Sequence, residues 1–359
     1  MPPLPPSKGR GAPINQTSAR FGLPVREADG DWLDTRVSID DAPPPLRTTV
    51  TLEHPRSILS RNTSPDLPFD QSVNAYRGCE HGCIYCYARP THAWLDLSPG
   101  LDFESRLFAK PGAAKLLRAT LRKPGYVPKV IALGTNTDPY QPIEADYRIT
   151  RSILEVCLEA RNPVAITTKS DRVLADIELL AEMARHDLVA IALSVTTLDG
   201  AIARTLEPRA AAPRKRLAAI RALAERGIPV HMNVSPVIPA ITDHEIEAVV
   251  AAGAEAGALS ASFIPVRLPH EVAPLFRAWL DAHFPDRAGK VMSIIQDMRG
   301  GRDNDPDFGT RMRGTGPWAE LIRTRFRIAL KRAGLNKHEW QLSVAGFRAP
   351  ADGMQGELF

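Results

Sequence analysis

From position 71 onward the chain alternates short runs of aliphatic and β-branched residues with longer segments whose apolar positions recur every three or four residues. The runs at 71–76, 129–134, 163–168, 188–196, 228–237 and 259–266 read as six strands. Segment 171–185 sets Val173, Ile177, Leu180 and Ala184 on one face behind Asp171 as N-cap, and segment 213–226 opens on Pro213 and stops at Gly227. Both read as helices, the second with the usual proline start and glycine stop.

The last five strands follow one another at intervals of about 25 to 40 residues, the length of a βα unit. Strands joined through helices run parallel with right-handed crossovers. An open doubly wound sheet and a full or partial barrel both satisfy this pattern. In either, ligands lie at the C-terminal ends of the strands. The candidate positions are therefore the cysteine loop after the first strand, Thr135 to Gln141, Lys169 to Asp171, Ser194 to Thr197, Asn233 with Ser235, and Arg267.

Outside this region the pattern changes. Ten of the 32 prolines fall in the first 60 residues, where no helical or alternating period is sustained, so this part reads as an extended, partly disordered arm. Near the other end, segment 317–332 reads as a helix with Ile322, Phe326 and Ala329 on one face and Arg323, Arg327 and Lys331 on another. The stretch 311–337 holds eight basic residues (Arg311, Arg313, Arg323, Arg325, Arg327, Lys331, Arg332 and Lys337) against Glu320 alone. It fits a docking helix with a solvated cationic face or a nucleic-acid contact equally well. The turn-rich segment 299–306 reads as a mobile lid.

Composition narrows the class. With 359 residues, 44% hydrophobic and 24% charged, the chain is globular rather than disordered or coiled-coil. A formal net charge of +4 does not by itself imply a nucleic-acid partner. The start carries no apolar signal region, and the most apolar stretch, 188–198, falls short of the roughly 18 residues a membrane span needs. A cytoplasmic protein with no membrane contact is expected. Four cysteines do not make a disulfide framework in a chain this long, and three of them sit within eight residues, which reads as a metal site in a reducing compartment.

Those three, Cys79, Cys83 and Cys86, form a Cys-x3-Cys-x2-Cys triplet flanked by Gly78 and Gly82. Three neighbouring thiolates can wrap one soft metal centre, and the glycines permit the positive φ a tight wrap needs. A [4Fe-4S] cluster ordinarily takes four cysteines, so three leave one iron open to an outside ligand. The alternative is zinc held with His81 or His92, in a non-catalytic protein that binds nucleic acid through its basic helix. Cys157, among Ile153, Leu154 and Val156, reads as a core residue.

The triplet, with Tyr85 before its last cysteine, resembles the signature of the radical S-adenosylmethionine (SAM) superfamily. The run from Cys83 to Ala88, with Thr137-Asp138 downstream, resembles the spore photoproduct lyase-like (DNA repair photolyase-like) subgroup. The resemblance implies an α/β partial (β/α)6 TIM-type barrel over 61–285, with the extended arm at 1–60 and a C-terminal helical extension and tail at 286–359. It implies an enzyme whose reduced [4Fe-4S] cluster cleaves S-adenosyl-L-methionine to methionine and a 5'-deoxyadenosyl radical that abstracts hydrogen from a substrate, here unidentified, with a nucleic acid as one candidate. It also implies an electron donor such as flavodoxin or ferredoxin.

Carried over residue by residue, the resemblance makes Cys79, Cys83 and Cys86 the cluster ligands and lays Tyr85 against the adenine. Thr137 and Asp138 would receive the methionine amine and Lys169 its carboxylate, with Ser194 and Asn233 as contacts to ribose or carboxylate. Tyr87 and Thr135 are the catalytic candidates. Thr135 stands where spore photoproduct lyases carry a hydrogen-donating cysteine, and a threonine O–H bond is too strong to return a hydrogen atom to a carbon radical. The tail from Gln355 to Phe359 resembles the bacterial sliding-clamp-binding pentapeptide, with Gly356 where a leucine is usual. A sliding clamp is thus an expected partner.

Overall fold

The computed structural model describes residues 9–16, 18–21, 46–335 and 341–351. Among the described residues ten strands form two sheets. β1 (Thr49–Leu52), β5 (Arg106–Ala109) and β4 (Tyr76–Arg77) make a small sheet in that order. The larger has seven strands in the order β10 (Ser260–Pro265), β9 (Val230–Val237), β8 (Val189–Ser194), β7 (Val164–Thr168), β6 (Ile131–Leu133), β3 (Gln71–Val73) and β2 (Leu59–Arg61). From β3 to β10 every neighbour pairs in parallel, and only β2 runs antiparallel, on β3.

This order separates the two architectures that periodicity leaves open. A doubly wound sheet reverses direction at a switch point, where its ligand binds. Here each crossover steps to the next strand in the same direction, so six parallel strands curl one way into a partial (β/α)6 barrel. All six strands expected from the hydrophobic runs are present. The helix expected at 213–226 is Pro213–Glu225.

Alternation along the strands sorts their two faces. Val189, Ile191 and Leu193 of β8, with Val230, Met232 and Val234 of β9, join the buried core that includes helix residues Ile153, Leu154, Ile220 and Leu223. The opposite face is small and polar. In register across the sheet lie Ala132, Ala165 and Ala190, then Thr167, Ala192, His231 and Ser260, then Ser194, Asn233 and Ser262. A TIM barrel fills its interior with bulky branched residues. This one leaves its lumen open.

Three expectations change. Within the first 60 residues, β1 and β2 form strands, and residues 10–12 are buried. Strands of four and three residues are too short to set up a visible period. The segment at 171–185 begins as a 3-10 turn, Asp171–Asp176, before the α-helix Ile177–Ala184. Its cap is Ser170, whose hydroxyl accepts from the Arg172 amide, rather than Asp171. Finally, 299–306 is turn-rich but is held down. Arg299 is buried and donates to the carbonyls of Arg311 (2.7 Å) and Val266 (3.1 Å), and Asp305 is buried too. Among the described residues no helix is long and apolar enough to cross a membrane.

Burial holds both His92 and His231 down at about 4, well below the unfolded value near 6.5. As pH falls through this window the unfolded chain takes up protons that the folded chain refuses, so stability must drop with acid. By pH 5.5 each group removes about 1.4 kcal/mol. The thermal midpoint of the metal-free protein is expected to fall between pH 7.5 and 5.5, and a flat or rising midpoint by calorimetry would contradict the assignment.

Candidate active site

The cysteine loop leaves β4 and lies across the barrel mouth. Gly78 and Gly82 have φ of +74° and +67°. A Cβ on Gly78 would sit 2.8 Å from the Phe103 carbonyl oxygen, and one on Gly82 would sit 2.7 Å from a Glu104 carboxylate oxygen. Both glycines are thus required twice over, by conformation and by space. The loop then folds on itself, with the Gly82 amide donating to the Cys79 carbonyl (3.3 Å) and the Cys86 amide to that of Cys83 (3.2 Å).

Two buried ion pairs hold it. Arg89 and Glu104 are fully buried and 2.5 Å apart. Arg89 also donates to the carbonyls of Gly82 (3.0 Å), Cys83 (2.8 Å), Pro99 and Gly100, so one guanidinium gathers the loop's backbone oxygens. Glu104 accepts in addition from the amides of Gly11 (2.9 Å) and Ala12 (2.8 Å), which straps the N-terminal segment over the loop. On the other side Glu207, equally buried, pairs with Arg216 and accepts from the hydroxyls of Tyr85 and Thr196. Burial alone would raise the Glu207 carboxyl, but Arg216 and Lys169 hold it down at about 2. Tyr85 is therefore fixed by its hydroxyl.

Thr137 and Asp138 meet the loop from the end of β6. The Thr137 hydroxyl donates to the Gly78 carbonyl (2.6 Å), and Gln141 bridges Thr137 to the Glu80 amide. Burial would push the Asp138 carboxyl up, yet His81 (3.3 Å), Thr168 (2.7 Å) and the Lys169 amide (2.8 Å) hold it below its ordinary value. It also accepts from the Tyr140 amide, as a turn residue does. In this state both side chains clamp the loop. The Lys169 ammonium lies 5.7 Å from the centre of the Tyr85 ring. Ser194 and Asn233 are register partners on the lumen face, and the Asn233 amide oxygen accepts from Ser262 (3.1 Å). The half-exposed Tyr87 donates its hydroxyl to the Thr135 carbonyl, and the Thr135 side chain meets Asn74. Hence ten expected residues, Cys79, Cys83, Cys86, Tyr85, Tyr87, Thr135, Thr137, Asp138, Lys169 and Ser194, border one mouth, with Asn233 one register step from Ser194 on β9.

Burial raises all three thiols, and Cys79 feels Cys83 and Cys86 while Cys83 feels Cys86. Among the described residues no three His, Cys, Asp or Glu groups converge as on a single ion. His81 turns to Asp138, and His92 meets the Arg106 carbonyl (3.0 Å) through Nε2 while its buried Nδ1 has no partner. A multi-iron cluster, which spreads its ligands over different irons, fits this donor set better. The lumen fits a bound cofactor as well, because its small side chains leave space and the buried Ser235 hydroxyl has no hydrogen-bond partner. Cys157 is in the core and away from the loop.

The basic stretch is only partly free. Arg311 pairs bidentately with Asp66 (2.6 Å) and Arg325 with Glu247. The helix Gly316–Ala333 docks by Phe326 against Phe263, while Arg323, Arg327, Lys331 and Arg332 remain exposed. Lys337 and the tail from Gln355 to Phe359 lie outside the described residues.

The barrel, the open lumen and the three-cysteine loop together define a radical SAM enzyme. The Radical SAM superfamily model matches residues 73–252, and the chain belongs to that superfamily. An uncharacterized protein of Mycobacterium tuberculosis is 37% identical over 232 residues, covering 64% of this chain and 68% of that one. Another, from Methanocaldococcus jannaschii, is 31% identical over 173 residues, 48% and 62% of the two chains. A solved spore photoproduct lyase superposes with a TM-score of 0.55 at 14% identity, covering 79% of each chain. The same lyase complexed with dinucleoside spore photoproduct gives 0.54. The fold is the one shared with that enzyme.

Residue spacing does not reveal Arg89, Glu104, Glu207 or Arg216. The signal available was a charged residue within an apolar setting, as in Asp102-Phe-Glu-Ser105, and it is weak. Replacing Glu104 by Gln removes the charge opposite Arg89 and turns an amide group toward a backbone N–H. Breaking a buried pair in this way costs about 3 to 5 kcal/mol. Glu104→Gln is expected to lower the denaturant midpoint accordingly, and a wild-type midpoint would show that the pair does not hold the loop.

Proposed function

We propose that Cys79, Cys83 and Cys86 hold a [4Fe-4S] cluster with one iron open toward the lumen, that S-adenosyl-L-methionine binds there, and that the enzyme abstracts hydrogen from a nucleic-acid substrate. The observation that carries this is the three-thiol loop fixed over a hollow barrel mouth. When bound, the cofactor pair supplies a 5'-deoxyadenosyl radical. The chain's own residues do the rest. Lys169 offers a cation for the methionine carboxylate, Tyr85 a clamped ring for the adenine, and Ser194, Asn233 and Ser235 hydrogen-bonding groups for the ribose. Nucleic acid as substrate is supported by the fold shared with a lyase solved with dinucleoside spore photoproduct and by the exposed cations of Gly316–Ala333. Thr135 places the lyase's own reaction outside this reading. A hydrogen donor would have to be another group, with Tyr87 at the mouth as the candidate. An electron donor of the flavodoxin or ferredoxin kind would supply the reducing equivalent, and the sliding-clamp contact of Gln355 to Phe359 finds no support in the comparisons.

Anaerobically prepared protein is expected to be brown, to contain about four irons per chain, and to release 5'-deoxyadenosine from SAM under dithionite. Alanine at Cys79, Cys83 or Cys86 should abolish both colour and product. Colourless protein with one zinc per chain would establish the zinc reading instead. Lys169→Ala should keep the cluster but weaken SAM binding roughly ten- to a hundredfold, the worth of a charge-assisted hydrogen bond. Unchanged affinity in an anaerobic titration would remove Lys169 from the site.

A further inference from the structure

Three guanidinium groups gather beside the C-terminal end of β10, and two of them have strong oxygen partners at their Nη groups. Arg311 is closed by Asp66 and stacks 4.6 Å from the Phe308 ring centre. Arg299 spends both Nη groups on backbone carbonyls, although its Nε is buried without a partner. Arg267 is different. Among the described residues its one hydrogen-bond contact is a weak one, from Nη1 to the Met312 sulfur at 3.3 Å, and its Nε is buried with no partner.

Among the described residues no carboxylate pairs with it directly. Asp66 and Asp305 lie within electrostatic reach of Arg267. The Asp66 carboxylate is taken up by both arms of Arg311. That of Asp305 accepts from the Thr310 hydroxyl (2.5 Å) and the Asp307 amide (3.0 Å), with Arg302 at 3.5 Å. Burial and the facing Arg311 both push the Arg267 guanidinium down, so the protein holds a cation here at a cost in stability. A group so placed is stabilised when an anion arrives.

Its position says which anion. Arg267 follows β10 directly, where a parallel barrel binds its ligand, and Tyr87 of the cysteine loop is within its electrostatic reach. Lys169, the cation expected for the methionine carboxylate, stands instead over Tyr85 after β7. The geometry points to Arg267 as the anchor for a phosphodiester of the substrate, gripping one backbone phosphate while the adjacent nucleoside enters the lumen past Tyr87 and Thr135. This assignment rests on the nucleic-acid reading above.

The test uses the full-length, cluster-loaded protein and two probes, the dinucleotide thymidylyl-thymidine and its uncharged methylphosphonate analogue. The wild type is expected to prefer the charged probe by roughly tenfold or more. Arg267→Met should bind both probes alike, bind SAM with wild-type affinity, and melt no lower than the wild type, because a half-buried cation whose Nε has no partner has been removed. A preference that survives in Arg267→Met, or no preference in the wild type, overturns the assignment. Loss of SAM affinity in the variant would assign Arg267 to the cofactor and overturn it also. Failure of the wild type to bind SAM at all would sink the radical SAM reading itself, a separate outcome.

Discussion

The Glu104 carboxylate, sealed from water among Arg89 and the amides of Gly11 and Ala12, is the constraint on which the cysteine loop depends. The tight turn of the loop leaves the Gly82 and Cys83 carbonyls buried, and those oxygens need donors. Arg89 supplies them, and an uncompensated guanidinium in the interior is costly. Glu104 offsets that cost and, through its remaining lone pairs, brings the N-terminal segment down as a cover. Glu207 with Arg216 repeats the device on the opposite flank and fixes Tyr85. Charge here is used for placement, since apolar packing alone would leave the loop's backbone unsatisfied.

The barrel provides the surface on which this loop is set. A monotonic strand order curls the sheet, and apolar residues on the helix side supply the stabilising burial. The lumen side is then free to be small and polar, with Ala, Ser, Thr, His and Asn in register. Such a face contributes little to stability and leaves room for ligands. The two faces of the same strands thus divide the work between folding and binding, and β2 closes one edge without closing the barrel.

Much of this was legible in the sequence, and for definite reasons. The strands β7, β8 and β9 span five to eight residues and are rich in aliphatic positions, which stand out from any background, whereas β3 and β6 span three residues each. The triplet at Cys79, Cys83 and Cys86 is local, so its spacing is visible directly, and Gly78 and Gly82 announce the positive φ they adopt. What stayed hidden depends on distance in sequence. Glu104 meets residues 93 and 92 positions away, and Tyr85 meets Glu207 across 122. The short strands β1 and β2 gain their structure from partners, β5 and β3, rather than from their own pattern. The segment 299–306, rich in turn residues, reads as a lid because Arg299's carbonyl partners at Val266 and Arg311 cannot be seen locally.

In the proposed site the loop presents a cluster with one iron free for SAM, facing the lumen. Low-temperature electron paramagnetic resonance of the dithionite-reduced protein, recorded before and after SAM addition, tests it most directly. A reduced [4Fe-4S] signal whose g-values shift when SAM is added is expected, because the cofactor reaches the cluster itself. A cluster signal indifferent to saturating SAM would contradict it.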